Sequence, residues 1–176
     1  MCGSPSNPSR RRRSVSLGAS ESSLTRTPTK CPGSSQPSSK RWTTVSGSPI
    51  ALDTSEAIAV LNNTGGAGDR IARHHPVFLP VPVLGKLLFG AEKSSRAREN
   101  REKVHALLAN CTVLPVTKDT AAVYARVRLR LKQSGGPIPE NDVWIAAVCI
   151  EHDIPLATSD SHFSGVSDLK LAPRSA

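Results

Sequence analysis

From Ile50 onward the sequence predicts a compact three-layer α/β/α domain, with helices covering both faces of a central parallel sheet. Short apolar runs recur at Ile50-Ala51-Leu52, Val77-Phe78-Leu79, Thr112-Val113-Leu114 and within "IPLAT". Helical sequence separates successive runs, and this is the crossover that parallel strands need. Two of the runs lead into an acid, Asp53 and Asp160, and sheets of this class gather their ligands at the carboxyl ends of the strands.

After Asp53, "TSEAIAVLNN" predicts a helix capped by Thr54 or Ser55. The second run leads into a helix from about Val81 to Glu92, in which "VLGKLLFG" sets one cation, Lys86, inside an apolar stretch. The bland reading of such a lysine is a stem that buries its methylenes while the ammonium reaches water. A charged, solvent-facing helix follows from about Ser94 to Ala109, then a strand over Thr112 to Leu114. "KDTAAVYARVRLRLKQ" is helical, with Ala122, Tyr124, Val127 and Leu131 near core-facing spacing, and "SGGP" stops it. The basic residues of that helix, Arg126, Arg128, Arg130 and Lys132, read as its solvated side, with nucleic-acid phosphates as the alternative partner. "ENDVWIAAVCIEH" predicts the next helix, with Trp144 in the core, "IPLAT" a strand, and "LKLA" a candidate final strand.

Charge divides the chain at the same boundary. Of the net charge of +9 over 176 residues, residues 1–49 carry +7, from eight Lys or Arg against Glu21 alone. The remainder holds 15 basic and 13 acidic residues, a balance of +2. The leader is rich in Ser, Pro, Thr and Gly and lacks apolar periodicity, so it reads as a disordered tail, residues 1–49, ahead of a folded domain, residues 50–176. Its Arg10 to Arg13 cluster suits phosphate contact or a localisation patch, and an organellar transit peptide or a translated extension ahead of the true start are further readings. No run reaches membrane-spanning length. Cys2, Cys31, Cys111 and Cys149 lack metal-finger or CxxC spacing. The last two read as buried thiols of a reducing compartment, which points to the cytoplasm. His74 and His75 precede Pro76 without companion ligands.

Three acids stand at converging positions in this plan: Asp53 after the first strand, Asp142 in the first turn of its helix, and Asp160 after the last strand. Each alone reads as a turn, cap or dipole residue. Together they repel one another, and a bound cation relieves that. Oxygen ligands completed by water suit Mg²⁺ or Mn²⁺ and not zinc.

"LDTSEAIAVL", "LPVPVLGKLLFGAEKS" and "PIPENDVWIAAVCIEHDIPLATSDSHF", in this order and spacing, resemble the PIN domain, in particular the VapC-type ribonuclease toxins of bacterial toxin–antitoxin pairs. The resemblance covers about Ile50 to Leu171. It implies a Mg²⁺-dependent endoribonuclease, an RNA substrate, a cognate antitoxin and often a homodimer. It maps the acidic cluster onto Asp53, Asp142 and Asp160 as metal-holding and catalytic groups, with Thr54 and Ser159 as polar supports and His162 near the RNA or merely exposed.

The family pattern also has a carboxylate, usually Glu, in the helix after the second strand, where this chain has Lys86. The exchange changes the formal charge of the cluster from −4 to −2 and removes an oxygen ligand. Glu92 does not replace it, because six residues along a helix turn it to another face. Glu140 and Asp153 are near in sequence without a ligand role. Two readings therefore stand at this point: a metal-dependent ribonuclease toxin, weakened by Lys86, and a catalytically decayed protein that binds antitoxin or RNA without cutting.

Overall fold

The computed structural model describes residues 47–173. The readings of the basic leader, including Arg10 to Arg13, Cys2 and Cys31, fall almost wholly outside them. Four strands, β1 (Ile50–Leu52), β2 (Val77–Pro80), β3 (Thr112–Leu114) and β4 (Leu156–Ala157), form one sheet in the order β3-β2-β1-β4. Every pairing is parallel, with Ala51 opposite Phe78 on one side and Leu156 on the other. Helices flank this sheet as expected: α1 (Thr54–Leu61), α2 (Ala67–Ile71), α3 (Val81–Lys93), α4 (Ala97–Leu108), α5 (Lys118–Gln133) and α6 (Glu140–Glu151).

The central strand is buried along its whole length, which is why it reads as an unbroken apolar run and not as an alternating one. Its Ala51 and Leu52 join Phe78, Leu79, Ile145, Val148, Leu156 and Phe163 in one core. Helix α6 is the most deeply buried, with Val143 and the whole run Ile145–Cys149 inside. Because all strands run the same way, the chain leaves β1, β2 and β4 at one edge of the sheet, delivering Asp53, the start of α3, and the segment Thr158–Asp160 to a common region.

Several boundaries differ from the sequence expectation, each for a local reason. Helix α1 is capped by Asp53, not by Thr54 or Ser55: the Asp53 carboxylate accepts from both of their backbone N–H groups. It ends at Leu61 because Asn63 takes a left-handed φ of 50°, followed by Gly65 and Gly66 at 58° and 65°. The short helix α2 follows that turn; five residues are too few for a period to show in sequence. Helix α4 begins at Ala97 and not at Ser94, which terminates α3 and whose hydroxyl accepts from Arg96 N–H at 3.1 Å.

On α5 the buried positions are Thr120, Val123, Val127 and Leu131, so Ala122 faces solvent, contrary to the expected face. Val127 and Leu131 are buried as expected, and Val123, four residues before Val127, takes the place expected of Ala122. A capping box starts the helix, in which Thr117 Oγ1 accepts from Thr120 N–H at 3.2 Å while Thr120 Oγ1 accepts from Thr117 N–H at 2.8 Å. Trp144 is half-buried and stacks on Tyr124 with ring centroids 4.0 Å apart. The candidate strand "LKLA" contributes only a single bridge, Leu171 to Leu156, and the residues after β4 form a short 3₁₀ turn, Ser161–Gly165. No helix among the described residues is long and apolar enough to cross a membrane.

Leu52 is wholly buried in β1, so Leu52→Ala is expected to lower unfolding free energy by about 2–5 kcal/mol. Phe89→Ser, at a position 70 % exposed on α3, is expected to stay within about 0.5 kcal/mol of the parent. Urea unfolding followed by circular dichroism measures both, and comparable losses at the two positions would refute this core.

Candidate functional site

Asp53 leaves the central strand already 97 % buried, with 3 % of its surface exposed. A carboxylate in that position needs donors. Helix α1 supplies them through the N–H groups of Thr54 and, at 3.4 Å, Ser55. Two hydroxyls complete the set on Oδ2, Ser55 Oγ at 2.9 Å and Thr158 Oγ1 at 2.9 Å. The hydroxyls expected here, those of Thr54 and Ser159, are placed elsewhere. Thr54 Oγ1 is buried without a hydrogen bond among the described residues, and Ser159 Oγ donates to Glu56 Oε1 at 2.6 Å, which also holds Ser159 beside the Glu56–Arg70 pair. In both cases the supporting hydroxyl is one residue from the expected one, because the turn of the chain after each strand faces the neighbouring side chain toward Asp53.

Thr158 links this acid to the next. While donating to Asp53, its Oγ1 accepts from the Asp160 N–H at 3.0 Å. Asp160 in turn caps the 3₁₀ turn: its Oδ1 accepts from His162 N–H at 2.9 Å, and His162 Nδ1 lies 2.7 Å from the same oxygen. The His162 backbone N–H, with smaller help from its ring and from the charge of Lys86, holds the Asp160 carboxyl below its ordinary value against a modest desolvation effect.

Asp142 arrives from another direction, in the first turn of α6, with 5 % of its surface exposed. Lys86, reaching over from α3, donates to its Oδ1 at 2.6 Å. The ammonium is therefore an ion-pair partner inside the site, not a solvated head on a buried stem. Ligand atoms of Asp142, Asp160 and His162 all lie within 4.8 Å of one another. The structure thus brings Asp142, Asp160 and Lys86 together, adds His162, and keeps Asp53 in its own set of hydrogen bonds behind Thr158.

The other nearby acids are turned away. Glu92 pairs with Arg101 at 2.9 Å, Glu140 with Arg128 at 3.1 Å, and Asp153 with Lys170 at 2.6 Å. Of the basic residues on α5, Arg128 and Arg130 are committed to Glu140 and Asp168. Cys149, wholly buried in α6, has its thiol pushed up to about 12 by desolvation and then by the charge of Asp53, while burial pushes Cys111 up to about 11; neither suits nucleophilic work. A polar recess of about 280 Å³ adjoins the site at Thr158 and Ser159 and is also lined by Glu56, Arg70 and Arg73. A larger apolar groove of about 560 Å³, lined by residues such as Val60, Ile71, Val77, Leu107 and Cys111, contains none of the three acids.

Two carboxylates and an imidazole nitrogen within one ion's reach fit a hard divalent cation. One oxygen of Asp142 is taken by Lys86 and one of Asp160 by His162, which leaves an oxygen on each. Mg²⁺ is commonly held by one or two carboxylates with waters filling the remaining positions.

If Thr158 is the hydroxyl that stabilises the buried Asp53, Thr158→Val should destabilise the fold by about 1.5–3 kcal/mol, as expected for a hydrogen bond to a charged group. Ser159→Ala should cost less than about 1 kcal/mol. Thermal unfolding distinguishes them; a larger loss at Ser159 would restore the original assignment.

Residues 50–169 match the PIN domain family. Ribonuclease VapC5 of Mycobacterium tuberculosis is 33 % identical over 117 residues, which are 65 % of this chain and 85 % of that protein. Among solved structures, VapBC-5 from Mycobacterium tuberculosis, a member of the VapBC family of toxin–antitoxin systems, aligns at 28 % identity with a TM-score of 0.59, covering 70 % of this chain and 97 % of that one. VapBC2 from Rickettsia felis, bound to a DNA fragment from their promoter, aligns at 23 % identity with a TM-score of 0.66 over 70 % and 97 % of the two chains, a likeness of fold.

Proposed function

The chain belongs to the PIN domain family, and from that premise we propose that it is a divalent-metal-dependent endoribonuclease, the toxin of a toxin–antitoxin pair. The observation that carries this reading is the convergence of Asp142 and Asp160, with ligand atoms within 4.8 Å, at the carboxyl edge of the sheet. The relative named a ribonuclease and the structure named a toxin–antitoxin system support it. Residues 50–176 form the catalytic domain, and residues 1–49 are a leader outside it. The oxygen-rich donor set favours Mg²⁺ or Mn²⁺. Its partners are an RNA substrate, a cognate antitoxin and a second copy of the chain, and its place is the cytoplasm.

Each residue has a distinct task. Asp142 and Asp160 would hold the cation, which when bound would supply charge neutralisation at the scissile phosphate and a more acidic water. Asp160 stays ionised for that task because His162 N–H and Lys86 favour its anion. Asp53 positions the others: it fixes Thr158, and Thr158 fixes the Asp160 backbone. Hydrolysis adds water across a P–O bond, the departing ribose oxygen taking a proton as the water loses one.

The decayed reading is the weaker one, since three of the four acids of the family pattern are present and two of them are within one ion's reach. Purified protein incubated with structured RNA and Mg²⁺ is expected to cut it, and chelation to stop it. Asp142→Asn and Asp160→Asn should each slow cleavage at least about 10²-fold with unchanged circular dichroism. Undiminished cleavage by both variants would place the chemistry elsewhere.

A further inference from the structure

We propose that Lys86 is a built-in cation of this centre, so that the site takes a single divalent ion where a site with a fourth carboxylate in place of Lys86 would hold two. The inference rests on the reading of Asp142 and Asp160 as metal-holding acids. It starts from charge. Three aspartates contribute −3 and Lys86 contributes +1, leaving −2, which one divalent ion neutralises. A carboxylate in place of Lys86 would make −4, a charge that calls for two such ions.

Geometry points the same way. Lys86 Nζ lies 2.6 Å from Asp142 Oδ1, and a metal bound to that same oxygen at roughly 2.1 Å would sit within a few ångströms of the ammonium, where like charges repel strongly. The oxygens facing away from Lys86 are spared this. Asp142 Oδ2 makes no hydrogen bond among the described residues, and the oxygen of Asp160 not engaged by His162 is free in the same sense. Asp142, Asp160 and His162 each offer one ligand atom within 4.8 Å of the others, the reach of a single ion. Asp53 offers no second pocket, because Ser55 and Thr158 crowd its Oδ2 and the Thr54 N–H occupies its Oδ1.

The lysine is held for this task by its helix. Val83 and Leu87 of α3 are buried, which fixes the roll of the helix and aims position 86 toward α6. The side chain is 31 % exposed and that of Asp142 7 %. Asp160, whose side chain is 34 % exposed, is the more accessible of the two acids.

Mn²⁺ titration of the purified full-length chain, with free ion counted by electron paramagnetic resonance, tests this without reference to turnover. The parent should bind one Mn²⁺ per chain. Lys86→Glu should bind two. Lys86→Met, which removes the charge and adds no ligand, should bind one, on the order of tenfold more tightly than the parent; this variant also decides the matter if Lys86→Glu does not fold. Two ions in the parent, none in the parent, or Lys86→Met binding no more tightly than the parent would each overturn the proposal. If Lys86→Met instead weakens RNA binding and leaves Mn²⁺ affinity unchanged, Lys86 is a phosphate contact and the proposal is wrong. Cleavage assays on the same preparations separate this from the nuclease reading. RNA cleavage by a parent holding two ions overturns the one-ion centre alone, whereas one ion with no cleavage of any RNA upholds the centre and counts against the nuclease.

Discussion

The buried carboxylate of Asp53 is the constraint from which the rest of the site follows. It stands at the end of the central strand, where a charge without donors would be costly. Helix α1 begins there and nowhere else, because its first N–H groups and the Ser55 hydroxyl satisfy the acid. The neighbouring strand is tied to the same point: Asp53 N–H donates to Ala157 O at 2.9 Å, and Leu52 pairs with Ala157, so that Thr158 arrives within reach of Oδ2. A slip of one residue between β1 and β4 would turn Thr158 to the other face and leave Asp53 short of a donor. It would also release the Asp160 backbone from Thr158. Capping, register and the position of a second acid are thus one set of hydrogen bonds.

Asp142 is independent of that set and depends on a helix pair. Its helix is buried over two turns, and α3 packs beside it, so the Lys86–Asp142 contact is made between elements already held by the core. This matters because Asp142 is buried, and an ammonium held at that spot compensates a carboxylate that would otherwise stand unpaired. The acids outside the site, Glu92, Glu140 and Asp153, are each drawn to an arginine or lysine on the surface. What distinguishes the site acids is burial or convergence, not acidity.

The parts legible in the sequence were those with a strong local signal. Strands β1 and β3 were expected at their observed bounds because buried strands are short apolar runs between polar ends, and α5 was delimited by Lys118 and by the glycines after Gln133. The three acids were expected as a group because strand ends and a helix start are visible in sequence; Asp142 and Asp160 converge, and Asp53 keeps its own hydrogen bonds. What sequence did not carry was rotation. Ala122 and Val123 are adjacent, and Val123 is the one that faces the core. The same one-residue ambiguity exchanged Thr54 and Ser159 for Ser55 and Thr158 as the hydroxyls on Asp53. A signal for Thr158 did exist: it directly follows β4 as Asp53 directly follows β1, and neighbouring parallel strands place such residues side by side. Lys86 stands out in the sequence as a departure, but its pairing with Asp142 required the packing of α3 on α6.

Net charge is a poor guide to how such a site meets a polyanion. The +9 of the whole chain is mostly the +7 of residues 1–49, and the remainder is close to neutral. At physiological ionic strength charges further apart than about 8 Å are largely screened, so a net charge summed over the sequence says little about the field at Asp142. Within the domain, the cations that matter are those a phosphate meets at contact distance. Arg70 is engaged by Glu56, and Arg128 and Arg130 by their own acids, whereas Lys86 stands inside the acidic cluster itself. A phosphate approaching these acids meets in Lys86 an ammonium already shared with Asp142. In the proposed one-ion centre, affinity for a cation and affinity for a phosphate are coupled through that ammonium group.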